Sequence, residues 1–205
     1  MAETITKEVW NVIKSDLSIQ RDIEKGLINH RALARYVLEK YGVKASLEAV
    51  ISAIRRYEPE PFVSQEKKIT NLFKDSLIST KNNMVCFTVE KEVIQAVGKL
   101  LLKGVRVLTG TEEIKVFTGT EKADNFRAVL SDNIKKENSD LSELSITISE
   151  AAAKTRGVLA RISTEISLQN INIEETIICP PEFIIYVKHK DIVKTYDVLL
   201  KLSSG

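Results

Sequence analysis

The residues KTRGVLARI at 154–162, followed by NINI at 170–173, have the clearest structural pattern in the second half of this chain. Its charged residues and glycine are typical of a loop. The apolar residues that follow recur at helical spacing, so a helix is predicted over 155–168. In NINI, isoleucine alternates with asparagine, and the alternation continues to Ile177, which predicts a strand.

The segments on either side extend this pattern into a complete unit. Alternating leucine and isoleucine at 144–148 predict a strand before the loop, and the apolar run 183–187 predicts another after a turn at 180–181. A last helix is predicted to begin at Asp191, which would cap it. Strand, helix, strand, strand and helix in this order form a βαββα module of the ferredoxin-like kind.

The same order of elements occurs once earlier in the chain. The pattern predicts a strand at 84–89, a helix at 92–102, a hairpin of 105–109 with 114–118, and a helix at 121–130. The polar residues 134–140 are expected to form a connector. The copies are offset by roughly sixty to seventy residues, a repeat of supersecondary structure. The predicted fold class is therefore α+β, with modules at 84–140 and 141–202.

The second module has no room for a fourth strand before residue 205. One hypothesis is that residues 68–80 donate a strand to its sheet. The segment 62–83 is ambiguous, because Ile69, Leu72 and Phe73 also fit one face of a helix. Residues 61–83 are therefore interpreted as either a linker or a donated strand.

Residues 143–202 resemble the ACT domain, a family of small regulatory modules that bind amino acids and related metabolites. Gly157-Val158-Leu159 and Ile171-Asn172-Ile173 carry the resemblance. The chain departs from the family at Arg156, where proline is usual, and at Asn170, where glycine is usual.

Residues 84–132 match the family in element order only, since Glu90-Lys91-Glu92 replaces the glycine-bearing loop. Two such modules in tandem resemble the regulatory region of aspartokinase. No segment resembles the phosphate-binding segments of its kinase half.

The loop before the second module's helix is the predicted ligand site. Backbone N–H groups at a helix N-terminus favour an anion such as an amino-acid carboxylate, and glycine permits close approach. The resemblance implies the same place, with the ligand shared across a subunit interface. The predicted ligand-binding residues are Ala153, Lys154, Thr155, Arg156, Gly157, Val158 and Asn172. The alternative is that Gly157 only eases packing of the helix against the sheet.

Residues 1–60 have the pattern of a small helical bundle. Ser18 is expected to cap its second helix, Gly42 to stop a third helix at 30–41, and Ser46 to begin a fourth. Proline and glutamate at 58–61 then end the bundle. The paired helices at 30–41 and 46–57 resemble a helix-turn-helix or winged-helix module.

This bundle is also where DNA binding is predicted. Residues 1–57 hold ten lysines and arginines against seven aspartates and glutamates, whereas the whole chain is only +2. In a recognition helix at 46–57, arginines would reach phosphates and polar residues would project outward. The predicted DNA-binding residues are Ser46, Glu48, Ser52, Arg55 and Arg56. The alternative is that the arginines only favour the negative end of the helix dipole.

Composition limits the remaining possibilities. The longest apolar run is too short to span a bilayer, and the first residues lack the basic and apolar regions of a signal peptide, so a cytoplasmic protein is expected. Cys86 and Cys179 lie in apolar runs and are expected to be buried free thiols. With only two histidines in the chain, no zinc site or other cofactor is predicted.

The sequence therefore predicts a non-enzymatic regulator that senses an amino acid, forms a homodimer, acts on duplex DNA and has no membrane partner. The paired carboxylates at 112–113 and 174–175 are interpreted as solvated charges rather than catalytic groups. The alternative function is a regulatory subunit that docks on an amino-acid biosynthetic enzyme such as aspartokinase.

Overall fold

The computed structural model describes residues 2–58, 69, 71–99 and 105–204. The chain forms two compact units, Met1–Lys68 and Ile69–Gly205.

The first unit contains four helices: α1 (Ala2–Ser15), α2 (Leu17–Glu24), α3 (His30–Tyr41) and α4 (Leu47–Arg55). Gly42 ends α3 with φ +65°, and the Ser46 hydroxyl accepts a hydrogen bond from the Ala49 amide at the start of α4. The expectation that Ser18 caps α2 is wrong. Asp16 is the cap, because its carboxylate accepts hydrogen bonds from the amides of both Ser18 and Ile19.

The core of this unit is aliphatic and draws on all four helices. Val9, Ile13, Val37 and Val50 are fully buried in it. At its edge, the Trp10 indole nitrogen donates a 2.9 Å hydrogen bond to the Ala53 carbonyl, which fastens α1 to α4.

The second unit is a six-stranded antiparallel sheet with helices, in the order β2-β3-β1-β4-β6-β5. The predicted α+β class is confirmed in this coarser form. Its elements are β1 (Leu77–Glu90), α5 (Ile94–Lys99), β2 (Arg106–Thr109), β3 (Glu113–Gly119), α6 (Ala123–Leu130), β4 (Ile134–Thr147), α7 (Glu150–Ala153), α8 (Val158–Leu168), β5 (Glu175–Cys179), β6 (Glu182–Lys188) and α9 (Ile192–Ser204).

Two sequence-based expectations about this sheet are wrong. Residues 134–140 are not a connector but the first half of β4, which pairs with β1 from Ile134 to Asn138. A sheet ladder uses backbone groups, so polar side chains do not prevent it. Ile171 and Ile173 precede β5 instead of lying in it, and Ile171 packs into the core beside the helices.

Residues 68–80 divide into different structures. Ile69, Asn71 and Leu72 are helical, so no strand covers the whole segment. The strand begins at Leu77, and Leu77–Lys81 pairs with β4 on the side opposite to β6.

The two faces of the sheet differ. One face is covered by helices over two apolar cores. One core includes Val85, Phe87 and Val116, and the other includes Leu144 and Ile185. On the opposite face, Phe117 of β3 stacks on Tyr186 of β6 with ring centroids 4.2 Å apart. Those strands are three positions apart in the sheet, or about 14 Å if it were flat. The sheet is therefore curled, and the face that carries Phe117 and Tyr186 is concave.

Candidate functional site

The predicted ligand loop lies between β4 and α8. The Ser149 hydroxyl accepts a hydrogen bond from the Ala152 amide and starts the one-turn helix α7. After it, the Thr155 amide and hydroxyl donate to the carbonyls of Ala152 and Ala151, each at 2.9 Å. These local bonds define the path of the chain into α8.

Gly157 is required by this path in two ways. Its φ of +94° lies in the left-handed region, where side chains are disfavoured. A Cβ there would also lie 3.1 Å from Cδ1 of Ile69. The neighbour that a Cβ would meet, Ile69, is a helical residue and not part of the sheet, so this contact neither tests the alternative role of Gly157 nor excludes a ligand on the outer side of the loop.

The predicted ligand-binding residues have unlike surroundings. Lys154, Arg156 and Gly157 are exposed, whereas Val158 is buried in the core. Lys154 Nζ lies 3.9 Å from a Glu150 carboxylate oxygen, an exposed pair of little energetic weight.

Three further members complete this set. Ala153 and Thr155 are half-buried, and Asn172 is exposed. The Asn172 amide donates a 3.2 Å hydrogen bond to Glu174. The structure therefore collects residues 153–158 in one loop, while the Asn172 side chain bonds toward Glu174.

A charged network that sequence reasoning missed lies on the concave face of the sheet. Arg106 of β2 donates two hydrogen bonds, of 3.0 and 3.1 Å, to the Glu143 carboxylate of β4. The Tyr186 hydroxyl donates another at 2.6 Å, and Lys81 Nζ lies 3.5 Å away. Burial acts to raise the pKa of Glu143, but the bonds from Arg106 and Tyr186 outweigh it and hold that pKa below its ordinary value.

The concave face also contains a cleft of about 410 Å³. It lies where β3, β1 and the first half of β4 face the start of β5. Its lining residues are Cys86, Thr88, Glu113, Lys115, Lys135, Lys136, Asn138, Leu141, Glu174 and Glu175. Lys115 and Glu175 form an ion pair that joins β3 to β5. In β3 the signal in the sequence is the alternation of Glu113 and Lys115 with apolar residues, whereas the polar first half of β4 gives no such signal.

The expectation of a buried free thiol is confirmed for Cys86 and is wrong for Cys179. Cys86 is buried in the cleft, and burial together with the charge of Glu175 raises the pKa of its thiol to about 12, so the thiol stays protonated. Cys179 is exposed at the end of the edge strand β5. Only the last two residues of this strand, Ile178 and Cys179, are exposed.

The predicted DNA-binding residues lie on the surface of the first unit. Ser46, Glu48, Ser52, Arg55 and Arg56 are all exposed. Arg56 is engaged within the unit, since its Nη2 donates to Thr6 Oγ1 at 3.0 Å and its Nε donates to the Ser52 carbonyl at 3.2 Å. Arg55 is therefore the better candidate for a phosphate contact.

A second exposed feature of this unit is an aromatic cluster on α3. The rings of Tyr36 and Tyr41 meet edge to face, with centroids 6.1 Å apart. Lys40 Nζ lies 4.9 Å from one ring centroid and 5.7 Å from the other, a cation–π arrangement on the surface.

Within the described part of the chain, no group of three or more histidine, cysteine, aspartate or glutamate side chains is arranged to hold a metal ion. In the same residues, no helix is both long enough and apolar enough to cross a membrane.

No family model matches this chain, and no curated protein matches it. Solved structures do. Aspartate kinase from Clostridium acetobutylicum matches with a TM-score of 0.52 and 15% identity over 61% of this chain, which spans only 34% of that one. A chain from the structure of aspartokinase alpha and beta subunits matches with 0.53 and 14%, covering 63% of this chain and 94% of that one.

The regulatory subunit of aspartate kinase from Thermus thermophilus, in its ligand-free form, matches with a TM-score of 0.52 and 13% identity, covering 61% of this chain and 95% of that one. At such identities the likeness concerns the fold alone. The fold over about three fifths of the chain is thus similar to that of the regulatory subunit of aspartate kinase.

Proposed function

We propose that this chain is a non-enzymatic regulatory protein that binds an amino acid through its Ile69–Gly205 unit and acts on duplex DNA through its Met1–Lys68 unit. The observation that carries the proposal is the likeness of the fold to aspartokinase regulatory subunits over nearly their whole length. We further propose two ACT-like modules in this fold, with Leu77–Lys81 as the fourth strand of the second.

The amino acid would bind at the loop 153–158. The amides of Leu159 and Ala160 lie in the first turn of α8, where N–H groups have no acceptor within the helix. An amino-acid carboxylate would accept hydrogen bonds from such amides, and the exposed Arg156 would add an opposite charge. A homodimer would share the ligand across its interface.

A thermal-shift screen of the twenty proteinogenic amino acids at millimolar concentration tests the sensing role. A specific ligand raises the melting temperature by mass action. Arg156→Ala should reduce that shift, whereas Lys201→Ala, the same change at an exposed site on α9, should leave it unchanged. If no amino acid shifts the transition, the proposal is wrong.

DNA binding would use the exposed face of α4. Arg55 is exposed on the last turn of this helix, and Glu48 and Ser52 lie on its outer side. A helix that follows a tight turn, here the Gly42 turn, is the element that enters the major groove in helix-turn-helix proteins.

Fluorescence anisotropy with a mixed-sequence duplex at low salt tests this role. Binding should weaken as salt rises, because phosphate contacts release counterions. Arg55→Glu should abolish most of the signal, and Lys201→Glu, an equal charge change in the other unit, should not. Absence of binding even at low salt would contradict the DNA role.

A second candidate function is a regulatory subunit that docks on an amino-acid biosynthetic enzyme. Two observations favour it: the likeness to a separate regulatory subunit of aspartate kinase, and the Tyr36–Lys40–Tyr41 cluster on the surface. Exposed tyrosines are frequent hot spots of protein interfaces. Co-purification of an aspartate kinase that is lost in Tyr36→Ala, with DNA binding absent, would favour this function.

A further inference from the structure

The cleft on the concave face of the sheet is formed by elements other than the loop 153–158. Its walls come from β1, β3, the first half of β4 and the start of β5, and its volume is about 410 Å³. That volume lies within the roughly 300–1,000 Å³ typical of small-molecule sites.

The charges of the cleft are balanced. Three lysines and three glutamates line it. Two of each sign are already matched: Lys115 with Glu175, and Lys135 with Glu113 at 3.7 Å. A neutral cleft of this kind discriminates against polyanions and against free cations, because each would face like charges.

One charge of each sign remains for a ligand. Among the described residues, no ion pair engages Lys136 or Glu174, and the Glu174 carboxylate accepts one hydrogen bond, from the side-chain amide of Asn172. Lys136 is exposed at the rim, and it lies on β4 opposite Thr88 of β1. Glu174 is half-buried, and its amide donates a 2.8 Å hydrogen bond to the Tyr186 carbonyl, which holds this residue beside β6.

The floor of the cleft is neutral. Cys86 and Leu141 are buried there and belong to the small apolar cluster of the concave face. Thr88 is also buried and adds the one hydroxyl group among the lining side chains of the cleft. An apolar or small polar side chain would fit against this floor.

We propose that this cleft is a second small-molecule site, and that it binds a free amino acid in its zwitterionic form. The carboxylate would bind to Lys136, the ammonium group to Glu174, and the side chain would lie against Cys86 and Leu141. This inference does not rest on the loop 153–158, which would bind its ligand through backbone amides.

Titration of the full-length protein with each of the twenty amino acids, followed by isothermal calorimetry and NMR, tests the site. Binding in the cleft should shift the Leu141 methyl and Thr88 amide resonances. Lys136→Gln and Glu174→Gln should each weaken binding by about tenfold or more, since each removes one charge-assisted contact. Glu39→Gln, at an exposed position on α3 in the other unit, is the matched control and should not change the affinity.

The bound amino acid is then compared with two analogues, the carboxylic acid without its amino group and the amine without its carboxyl group. Each should bind about tenfold or more weakly than the amino acid. Unchanged melting temperatures of Lys136→Gln and Glu174→Gln without ligand would show that the variants are folded.

Resonance shifts confined to 153–158 would overturn this inference and leave the proposed function intact. Shifts in the cleft alone would support it and remove the loop as the ligand site. Equal affinity of Lys136→Gln and the wild type, or binding of the analogues as tight as that of the amino acid, would overturn it as well.

Discussion

At the scale of single residues, Glu143 has the most consequential environment in the sheet, because it is 2% exposed and carries a charge. Glu143→Gln removes the charge of the buried partner of Arg106 while the shape of the side chain is retained, and it leaves Glu182, at 3.5 Å, as the remaining carboxylate beside the guanidinium. We expect a loss of about 2–3 kcal/mol in the free energy of unfolding at neutral pH. Urea denaturation followed by circular dichroism measures it. Glu150→Gln, at an exposed pair, should cost less than about 0.5 kcal/mol.

The same substitution makes a prediction about pH. The native structure holds the pKa of Glu143 below the ordinary value of 4.5. Its contribution to stability is therefore fully present above that value and is lost as pH falls through the lower pKa of the folded state. The gap in unfolding free energy between wild type and Glu143→Gln should accordingly narrow below about pH 4.5. A gap that stays constant down to pH 3 would contradict this account.

Gly157 gives a second prediction at this scale. Alanine there must adopt φ +94° and place its Cβ 3.1 Å from Ile69. Gly157→Ala should lower the free energy of unfolding by about 1–3 kcal/mol. Gly98→Ala is the matched control, because it lies within α5 with open space around it, and alanine is favoured in a helix. Urea titration of both variants checks the pair, and equal stabilities would show that the loop relaxes freely.

At the scale of elements, mutation can distinguish Asp16 from Ser18 as the N-terminal cap of α2. Asp16→Ala removes the carboxylate that accepts hydrogen bonds from two amides of the first turn and should cost about 1 kcal/mol. Ser18→Ala should be close to neutral, because its side chain does not supply the cap. Thermal unfolding by circular dichroism measures both. A larger loss of stability for Ser18→Ala than for Asp16→Ala would identify Ser18 as the cap, as the sequence predicts, and would contradict this assignment.

Elements whose signals are local could be predicted from the sequence. Gly42 and Ser46 mark helix ends through their own backbone preferences, and the hairpin of β2 with β3 follows from alternation around Gly110. The first half of β4 could not be predicted, because its side chains are polar and its pairing with β1 is a contact between distant segments.

At the scale of the whole second unit, the curl of the sheet brings together the residues of the charged network and of the cleft. Arg106 and Glu143 lie on strands that are three places apart in the sheet. Nothing in the sequence around either residue indicates that their side chains meet. The cleft likewise joins Lys115 to Glu175 across the concave face. The position of the loop 153–158 could be predicted because its glycine and the start of its helix are adjacent in the sequence. The residues of the cleft are distant in the sequence and become neighbours only because the sheet curls.

At the scale of the full chain, regulation requires that binding in one unit alter binding in the other. Linkage makes this coupling reciprocal: a factor by which the amino acid changes DNA affinity must equal the factor by which DNA changes amino-acid affinity. We expect a factor of roughly 5–150, the usual range for allosteric proteins. Anisotropy with saturating amino acid and calorimetry with saturating duplex measure the two factors independently.

Arg55→Glu serves as the control for this coupling, because it would remove the proposed phosphate contact in the first unit and leaves the second unit unchanged. It should abolish the effect of DNA on amino-acid affinity without altering that affinity in the absence of DNA. If both ligands bind to the wild type and neither changes the affinity of the other, the amino acid has no preference between states of the protein that differ in DNA binding. The two units would then act independently, and the proposal that the bound amino acid is an effector of DNA binding would be wrong.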